Sequence, residues 1–333
     1  MGAPQDRPGP LLVTGLPRTG TSWVGKMLEL SNAVVYVNEP LNPQHPPGHS
    51  PGVLDARVTH RFQYICADNE EDWLPAFRRT ASLRYGLRAE LRTNRSAYDL
   101  GRMVKYLTAF ESGRLRGRRA LFDDPFAVLS SAWIADRLGA TAVVLVRDPV
   151  AIVGSWRRLG WTTYFHELLE QPLLMRDLLG PYDERMRALV GSQDHVAKIA
   201  LLWCAVYDAV AQLCAANPAL HLVRYESLAS DPVAEFHALY DICALPWDER
   251  VRSALVAATT GSGGTTNSHA WTLRGGVSRT AYRPMDSKAS LGSYRERLTP
   301  EEIERVRELT DETNARLGQL DAESPTAPRI SSE

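Results

Sequence analysis

Paired cysteines, a leader pattern, a long apolar run and a large net charge are all missing from this sequence. Its four cysteines, Cys66, Cys204, Cys214 and Cys243, stand far apart. They lack the CxxC spacing of a zinc site and the density of a disulfide scaffold, and read as reduced structural residues. The scattered histidines form no metal-ligand motif, so no metal is expected. The opening MGAPQDRPGP has no basic-then-apolar leader pattern, and Asp6 stands where myristoylation prefers Ser or Thr. No window approaches the roughly 18 uninterrupted apolar residues of a membrane helix, the longest runs being strand-length, such as Ala142 to Val146. A formal charge of -1 over 333 residues supplies no field to draw nucleic acid or an anionic membrane. The expectation is a soluble, cytoplasmic globular enzyme, with no nucleic-acid partner and no membrane insertion. Its oligomeric state leaves no trace in the sequence.

What is present is a succession of short apolar runs and helical patterns. LLVTG (Leu11 to Gly15) reads as a buried strand, and Thr21 to Leu30 has helical apolar spacing. VVYV (Val34 to Val37) reads as a second strand, running into Glu39 and a proline-rich loop from Pro40 to Gly52. RALF (Arg119 to Phe122) and TAVVLV (Thr141 to Val146) flank the helix SSAWIADRLG, a strand, helix, strand unit of a parallel sheet. HLVRY (His221 to Tyr225) is the last strand. Helices are expected around Pro232 to Ile242, around Asp248 to Ala258 and from Thr299, the last with Thr as cap and Pro300 at the first helical position.

The fold class is therefore α/β: three layers, a central parallel sheet flanked by helices in a P-loop-like arrangement, plus a helical insertion. Residues 1–9 are expected to be flexible, 10–320 to form one domain, and 321–333 to be a disordered tail. Within the domain, 53–117 forms the insertion and 261–292, rich in glycine and serine, a mobile flap. The insertion carries Arg78, Arg79, Arg84, Arg88, Arg92, Arg95 and Arg102, which read either as a solvated helical face or as a match for an anionic ligand.

Between the first strand and helix, Gly15-Leu-Pro-Arg-Thr-Gly-Thr-Ser22 has the spacing of a nucleotide-binding GxxxxGK[ST] loop, with Thr21 in the lysine position. The missing lysine argues against an ordinary ATPase or kinase, which needs it on the β/γ-phosphates. The loop's backbone N–H groups can still cradle an anion at a helix start, with Thr19, Thr21 and Ser22 adding hydroxyls. Glycines before a helix also serve purely steric ends, so the loop alone decides little.

LLVTGLPRTGTSW resembles the 5′-phosphosulfate loop of sulfotransferases that use 3′-phosphoadenosine-5′-phosphosulfate (PAPS), in the branch with Arg inside the loop. VVLVRDPVAIVGSW resembles the family's second signature, and the two occur in family order. The resemblance implies that Pro17, Arg18, Thr19, Gly20, Thr21, Ser22 and Trp23 hold the 5′ side, and that Arg147 and Ser155 hold the 3′-phosphate. RYESLASDP resembles the strand-end segment whose tyrosine, here Tyr225, lies near the adenine. Lys288 to Tyr294 resembles the late 3′-phosphate loop, with Lys288 as its ligand. It implies PAPS as co-substrate and 3′,5′-ADP as product. Standing alone, Arg147 would read as a strand-end arginine in a surface ion pair.

Sulfonyl transfer needs a base for the acceptor proton and positive charge on the leaving oxygen. Arg18 supplies the charge. Glu39, at the end of the second strand, matches a glutamate base of the resembled branch, although it could equally cap the turn into Pro40. Asp124 is the rival, since LFDDPF occupies the place of a Lys-Thr-His or Lys-Asp-Pro in relatives, with Asp123 replacing the lysine. The acceptor is expected to be a small molecule, carbohydrate or lipid bearing a hydroxyl, or less favourably an amine. Its pocket would draw on the Pro40 to Gly52 loop, the insertion and the aromatic run Trp156, Trp161, Tyr164 and Phe165. The competing readings are a divergent P-loop kinase or nucleotide-binding protein and a non-catalytic module on the same fold.

Overall fold

A computed structural model describes residues 8–43, 56–93, 96–260, 291–292 and 297–323. Lys288, most of the expected flap and tail, and most of the proline-rich loop lie outside them.

Five parallel strands form one sheet in the order β2-β3-β1-β4-β5. They are β1 Leu11–Gly15, β2 Val34–Asn38, β3 Arg119–Asp123, β4 Thr141–Val146 and β5 Leu220–Arg224. Their apolar runs are continuous because both faces of the sheet are covered. Alternation then sorts each strand between two cores. Leu12, Val35, Phe122, Val144 and Val146 point into one cluster, whereas Leu11, Val13, Leu121, Val143 and Leu145 point into the other.

The second face is covered by α1 Thr21–Glu29, which contributes Trp23, Val24, Met27 and Leu28. The insertion supplies α2 Leu74–Ala81, α3 Leu87–Thr93 and α4 Ala97–Leu115. After β3 come a 3-10 turn at Pro125–Ser130 and α5 Ser131–Leu138, whose end is marked by Gly139 in the left-handed region at φ 61. After β4 come α6 Pro149–Leu159, α7 Phe165–Leu169, α8 Pro172–Leu174, α9 Asp183–Leu189 and α10 His195–Ala216. Beyond β5, α11 Tyr225–Ser230, α12 Pro232–Ile242 and α13 Glu249–Thr259 close the second face. The last helix, α14 Pro300–Glu323, opens with a reciprocal cap between Thr299 and Glu302 and packs on α10 and α6.

Residues 53–117 contain α2, α3 and α4, and the described part before α2 is held by side chains instead. Ser130 Oγ accepts from the Ile65 N–H and donates to the Gln63 carbonyl, and Gln171 Oε1 accepts from the Tyr64 N–H. Among the described residues one helix, α10, is long and apolar enough to cross a membrane by length and composition, with a mean hydropathy of 1.7. The apolar run is broken by Lys198 and Asp208, and 67% of it is buried inside the fold. It is the central helix of the first core.

Candidate active site

The carboxyl ends of the five parallel strands converge where the order reverses around β1, the place in such sheets where ligands gather. The loop leaving β1 there is shaped by glycine at two positions. A Cβ on Gly15, at φ 147, would lie 2.4 Å from the Leu145 carbonyl oxygen, and one on Gly20, at φ 102, would lie 2.8 Å from the Tyr225 ring. Arg18 sits between them at φ 81, in a region where side-chain-bearing residues carry strain. The helix α1 begins at Gly20 without a side-chain cap. Its first-turn N–H groups therefore stay available to an anion.

The loop's own hydroxyls divide. Thr19, fully buried, donates to the Leu16 carbonyl at 2.8 Å and so holds the loop closed. Thr21 and Ser22 belong to the first turn of α1 and lie beside Asp123. The carbonyl of Pro17 accepts from the Trp156 indole at 2.9 Å.

The second motif folds onto the first. In Arg147-Asp148-Pro149, Asp148 caps α6 by accepting from the N–H groups of Val150 and Ala151, and Pro149 takes the first helical position. Arg147 is thereby aimed sideways. Its Nη1 donates to the Arg18 carbonyl at 3.1 Å, and its guanidinium lies 4.0 Å over the Tyr225 ring. Its Nε is buried with no hydrogen-bond partner. Ser155, one turn and a half along α6, accepts from Arg18 Nε at 3.2 Å. Trp23 meets Tyr225 edge-on at 5.4 Å, and its buried indole Nε1 has no hydrogen-bond partner. Glu226 completes the join by accepting from the Asp148 N–H at 3.0 Å.

Positive charge is concentrated here. Burial, followed by repulsion from Arg158, Arg147 and Arg297, depresses the Arg18 pKa. Arg158 and Arg297 were not anticipated from sequence, although the first lies three residues beyond Ser155 on α6.

Negative charge collects on the other side of β1. Glu39 stands at the end of β2 at φ 43, its N–H donating to the Asp123 carbonyl at 2.7 Å and its Oε2 accepting from the Asn42 amide at 2.6 Å. Burial raises its pKa, and the Asn42 bond opposes the rise. Asp124 is fully buried and spends both oxygens on backbone: Oδ1 takes the Phe126 N–H at 2.9 Å and Oδ2 the Leu41 N–H at 2.5 Å. Burial pushes its pKa well above the ordinary carboxylate range.

Two supporting residues on α10 carry no motif. Tyr207 donates its hydroxyl to the Leu145 carbonyl at 2.8 Å and accepts from the Leu16 N–H at 3.3 Å, and the Trp203 indole donates to the Arg147 carbonyl at 3.0 Å. A periodic buried aromatic pair on a helix is indistinguishable from core in a sequence.

The aromatic run splits. Phe165 belongs to the core, whereas Trp161 and Tyr164 are exposed. Trp156, Phe62, Thr163 and Tyr164 line a small cleft into which Arg61 reaches, 4.2 Å over the Tyr164 ring. Of the insertion's arginines, Arg102 is tied to buried Glu90 at 2.8 Å, while Arg78, Arg84, Arg88 and Arg92 face solvent. Among the described residues no group of three or more His, Cys, Asp or Glu is placed to hold a metal ion.

Solved structures resemble this chain at low identity. The sulfotransferase domain from the curacin biosynthetic pathway matches with 13% identity and a TM-score of 0.47, over 92% of this chain and 99% of that one. A mouse sulfotransferase complexed with PAP matches with 12% identity and a TM-score of 0.43, over 96% and 88%. A sulfotransferase from Mycobacterium tuberculosis H37Rv matches with 15% identity and a TM-score of 0.42, over 91% and 76%. No curated protein matches the sequence. The family model described as "Sulfotransferase family" matches residues 10–249, which include both signature motifs and all five strands. That match spans more than two thirds of the chain, and the chain belongs to the sulfotransferase family.

Proposed function

We propose that the protein transfers a sulfonate from PAPS to a hydroxyl of a small-molecule, carbohydrate or lipid acceptor in the cytoplasm, releasing 3′,5′-ADP. The observation that carries this reading is the join of the two motifs: Arg147 donating to the Arg18 carbonyl and Arg18 donating to Ser155. Two separated anionic groups of one nucleotide would need such a join.

The residues fit that nucleotide on independent grounds. Glycine at position 20 lets the Tyr225 ring pack directly against the loop, and two donors, Arg147 Nε and Trp23 Nε1, are buried with no protein partner. An unmade hydrogen bond at a buried donor costs about 1–3 kcal/mol, which a ligand acceptor would recover. Arg147 and Ser155 would hold the 3′-phosphate, the first turn of α1 with Thr21 and Ser22 the 5′ side, and Trp23 and Tyr225 the base, with Lys288 joining the 3′ side.

The co-substrate supplies the electrophilic sulfur and the leaving phosphate, and the chain supplies position, charge and a base. Arg18, held by burial among other cations, stabilises the charge that grows on the leaving oxygen. Glu39 takes the acceptor proton as the new sulfur–oxygen bond forms. Its left-handed backbone places it beyond β2, whereas the Asp124 carboxylate already caps the turn at Pro125–Ser130 and anchors Leu41. The choice of Glu39 over Asp124 rests on that difference. The cleft around Phe62, Trp156 and Tyr164, about 20 Å³ in volume, would supply at most one wall of the acceptor side.

The test is thermal stabilisation by 3′,5′-ADP against ATP with magnesium, followed by mass spectrometry of a metabolite extract incubated with protein and PAPS. Preferential stabilisation by 3′,5′-ADP and a product heavier by one sulfonate are expected. Preferential stabilisation by ATP with magnesium would return the kinase reading. Binding of 3′,5′-ADP with no sulfonated product from any extract would favour a non-catalytic nucleotide-binding module.

A further inference from the structure

Asp123 is a buried carboxylate at the strand ends that the reaction described above does not use. It closes β3, paired in register with Val13 of β1 on one side and Asn38 of β2 on the other, so it stands at the root of the glycine loop. It is fully buried. Its Oδ2 accepts from the Tyr36 hydroxyl, and its Oδ1, also buried, makes no hydrogen bond. The hydroxyls of Thr21 and Ser22, in the first turn of α1, lie near enough to bias its charge.

The groups around it act in both directions, with three hydroxyls favouring the ionised carboxylate and burial and a neighbouring carboxylate opposing it. From α1 come the two hydroxyls and Lys26, whose Nζ is taken up over the Tyr36 ring at 3.5 Å and by Glu29 at 2.9 Å. From β2 and the turn after it come Tyr36 and Glu39, and from its own strand end comes Asp124. Burial, with Glu39 adding repulsion, pushes the Asp123 carboxyl up to about 6 against the pull of Tyr36, Thr21 and Ser22. An anion seated on the first turn of α1 would add a further negative neighbour, which disfavours the ionised form again. A protonated Oδ1 turns the site's buried unpartnered acceptor into a donor beside the anion.

Resting on the PAPS-binding reading above, we propose that Asp123 serves the nucleotide site as a neutral carboxylic acid: binding draws one proton from solvent onto Asp123, whose O–H then faces the anion cradle. The residue that replaces a lysine here thus provides a hydrogen-bond donor without a fixed positive charge. Nucleotide affinity becomes dependent on pH through this residue.

The experiment measures 3′,5′-ADP binding to the full chain by calorimetry, from about pH 6 to about pH 8, in buffers of different ionisation enthalpy. The wild type is expected to take up more protons than Asp123→Asn, by at most about half a proton near pH 6 and approaching one above pH 7, and to lose affinity with rising pH more steeply by up to about tenfold per pH unit. The titration of the nucleotide's own phosphates is common to both proteins and cancels. Asp123→Ser repeats the comparison if the asparagine variant does not fold, and a protonated-carboxyl infrared band that grows on nucleotide addition to the wild type is expected independently of any variant. Equal proton uptake in wild type and variant overturns the proposal. So does wild-type affinity that rises with added magnesium while the variant's does not, because an ionised carboxylate recruiting a cation would behave that way. Failure of the wild type to bind 3′,5′-ADP at every pH would instead overturn the PAPS reading itself.

Discussion

Arg147 donates from Nη1 to the carbonyl oxygen of Arg18 at 3.1 Å, so the residue assigned to the 3′-phosphate holds the backbone of the residue assigned to the leaving oxygen. The two roles are mechanically joined. Removing Arg147 should therefore damage both.

Arg147→Ala is expected to weaken 3′,5′-ADP binding by roughly 10- to 100-fold, the loss of about 1.5–3 kcal/mol in charge-assisted hydrogen bonds. It should also narrow the preference for 3′,5′-ADP over 5′-AMP. Arg147→Lys should recover little of it, because lysine cannot both lie flat on Tyr225 and reach Arg18. Titration calorimetry with the two nucleotides reads both effects. An unchanged preference would remove Arg147 from the 3′ side.

Arg18→Ala should lower kcat by roughly two to three orders of magnitude, the scale of a lost transition-state charge contact. Nucleotide affinity should change much less. A variant that loses affinity and keeps kcat would show that Arg18 binds the ground state only.

For the base, Glu39→Gln should abolish transfer while leaving 3′,5′-ADP binding intact. Because the base works ionised and burial raises its pKa, kcat in the wild type should fall as pH drops, starting above the ordinary glutamate range. Asp124→Asn should instead lower the melting temperature through about 1–3 kcal/mol of lost capping and backbone anchoring. An active Glu39→Gln beside a folded, inactive Asp124→Asn would move the role to Asp124.

Stability should also report on Asp123. Its folded-state pKa of about 6 lies above the ordinary value of 3.8, so between these pH values the folded chain holds a proton that the unfolded chain has released. Stability then declines as pH rises through that window, by roughly 3 kcal/mol in all, and is lost no further above it. Urea unfolding of wild type and Asp123→Asn across the window should show a decline that is steeper in the wild type by about that amount, on top of the decline that Asp124 and Glu39 give both proteins.

The sequence disclosed more of the scaffold than of the site. Leu11–Gly15 and Thr141–Val146 were readable to the residue because strands covered on both faces leave unbroken apolar runs. Pro232–Ile242 and the start of α14 were readable from proline and cap residues. Tyr225 was read as the end of the last strand but begins α11, one residue beyond β5. In the site, Arg18, Arg147 and Ser155 were legible because each sits in a motif. Thr19 was legible as a loop member, yet its hydroxyl turns back to the Leu16 carbonyl, a choice made by loop geometry. Tyr207, Trp203 and Tyr36 gave no sign, since their partners lie from 56 to 191 residues away along the chain.

Tyr207 and Trp203 give the fold a diagnostic hazard. A saturation screen scored only by lost turnover would return these two residues of α10 beside Arg18 and Arg147, although neither is assigned a contact with either substrate. Sorting such hits by whether excess PAPS restores the rate would separate the supports from the chemistry, and would draw the outline of the nucleotide cradle from behind.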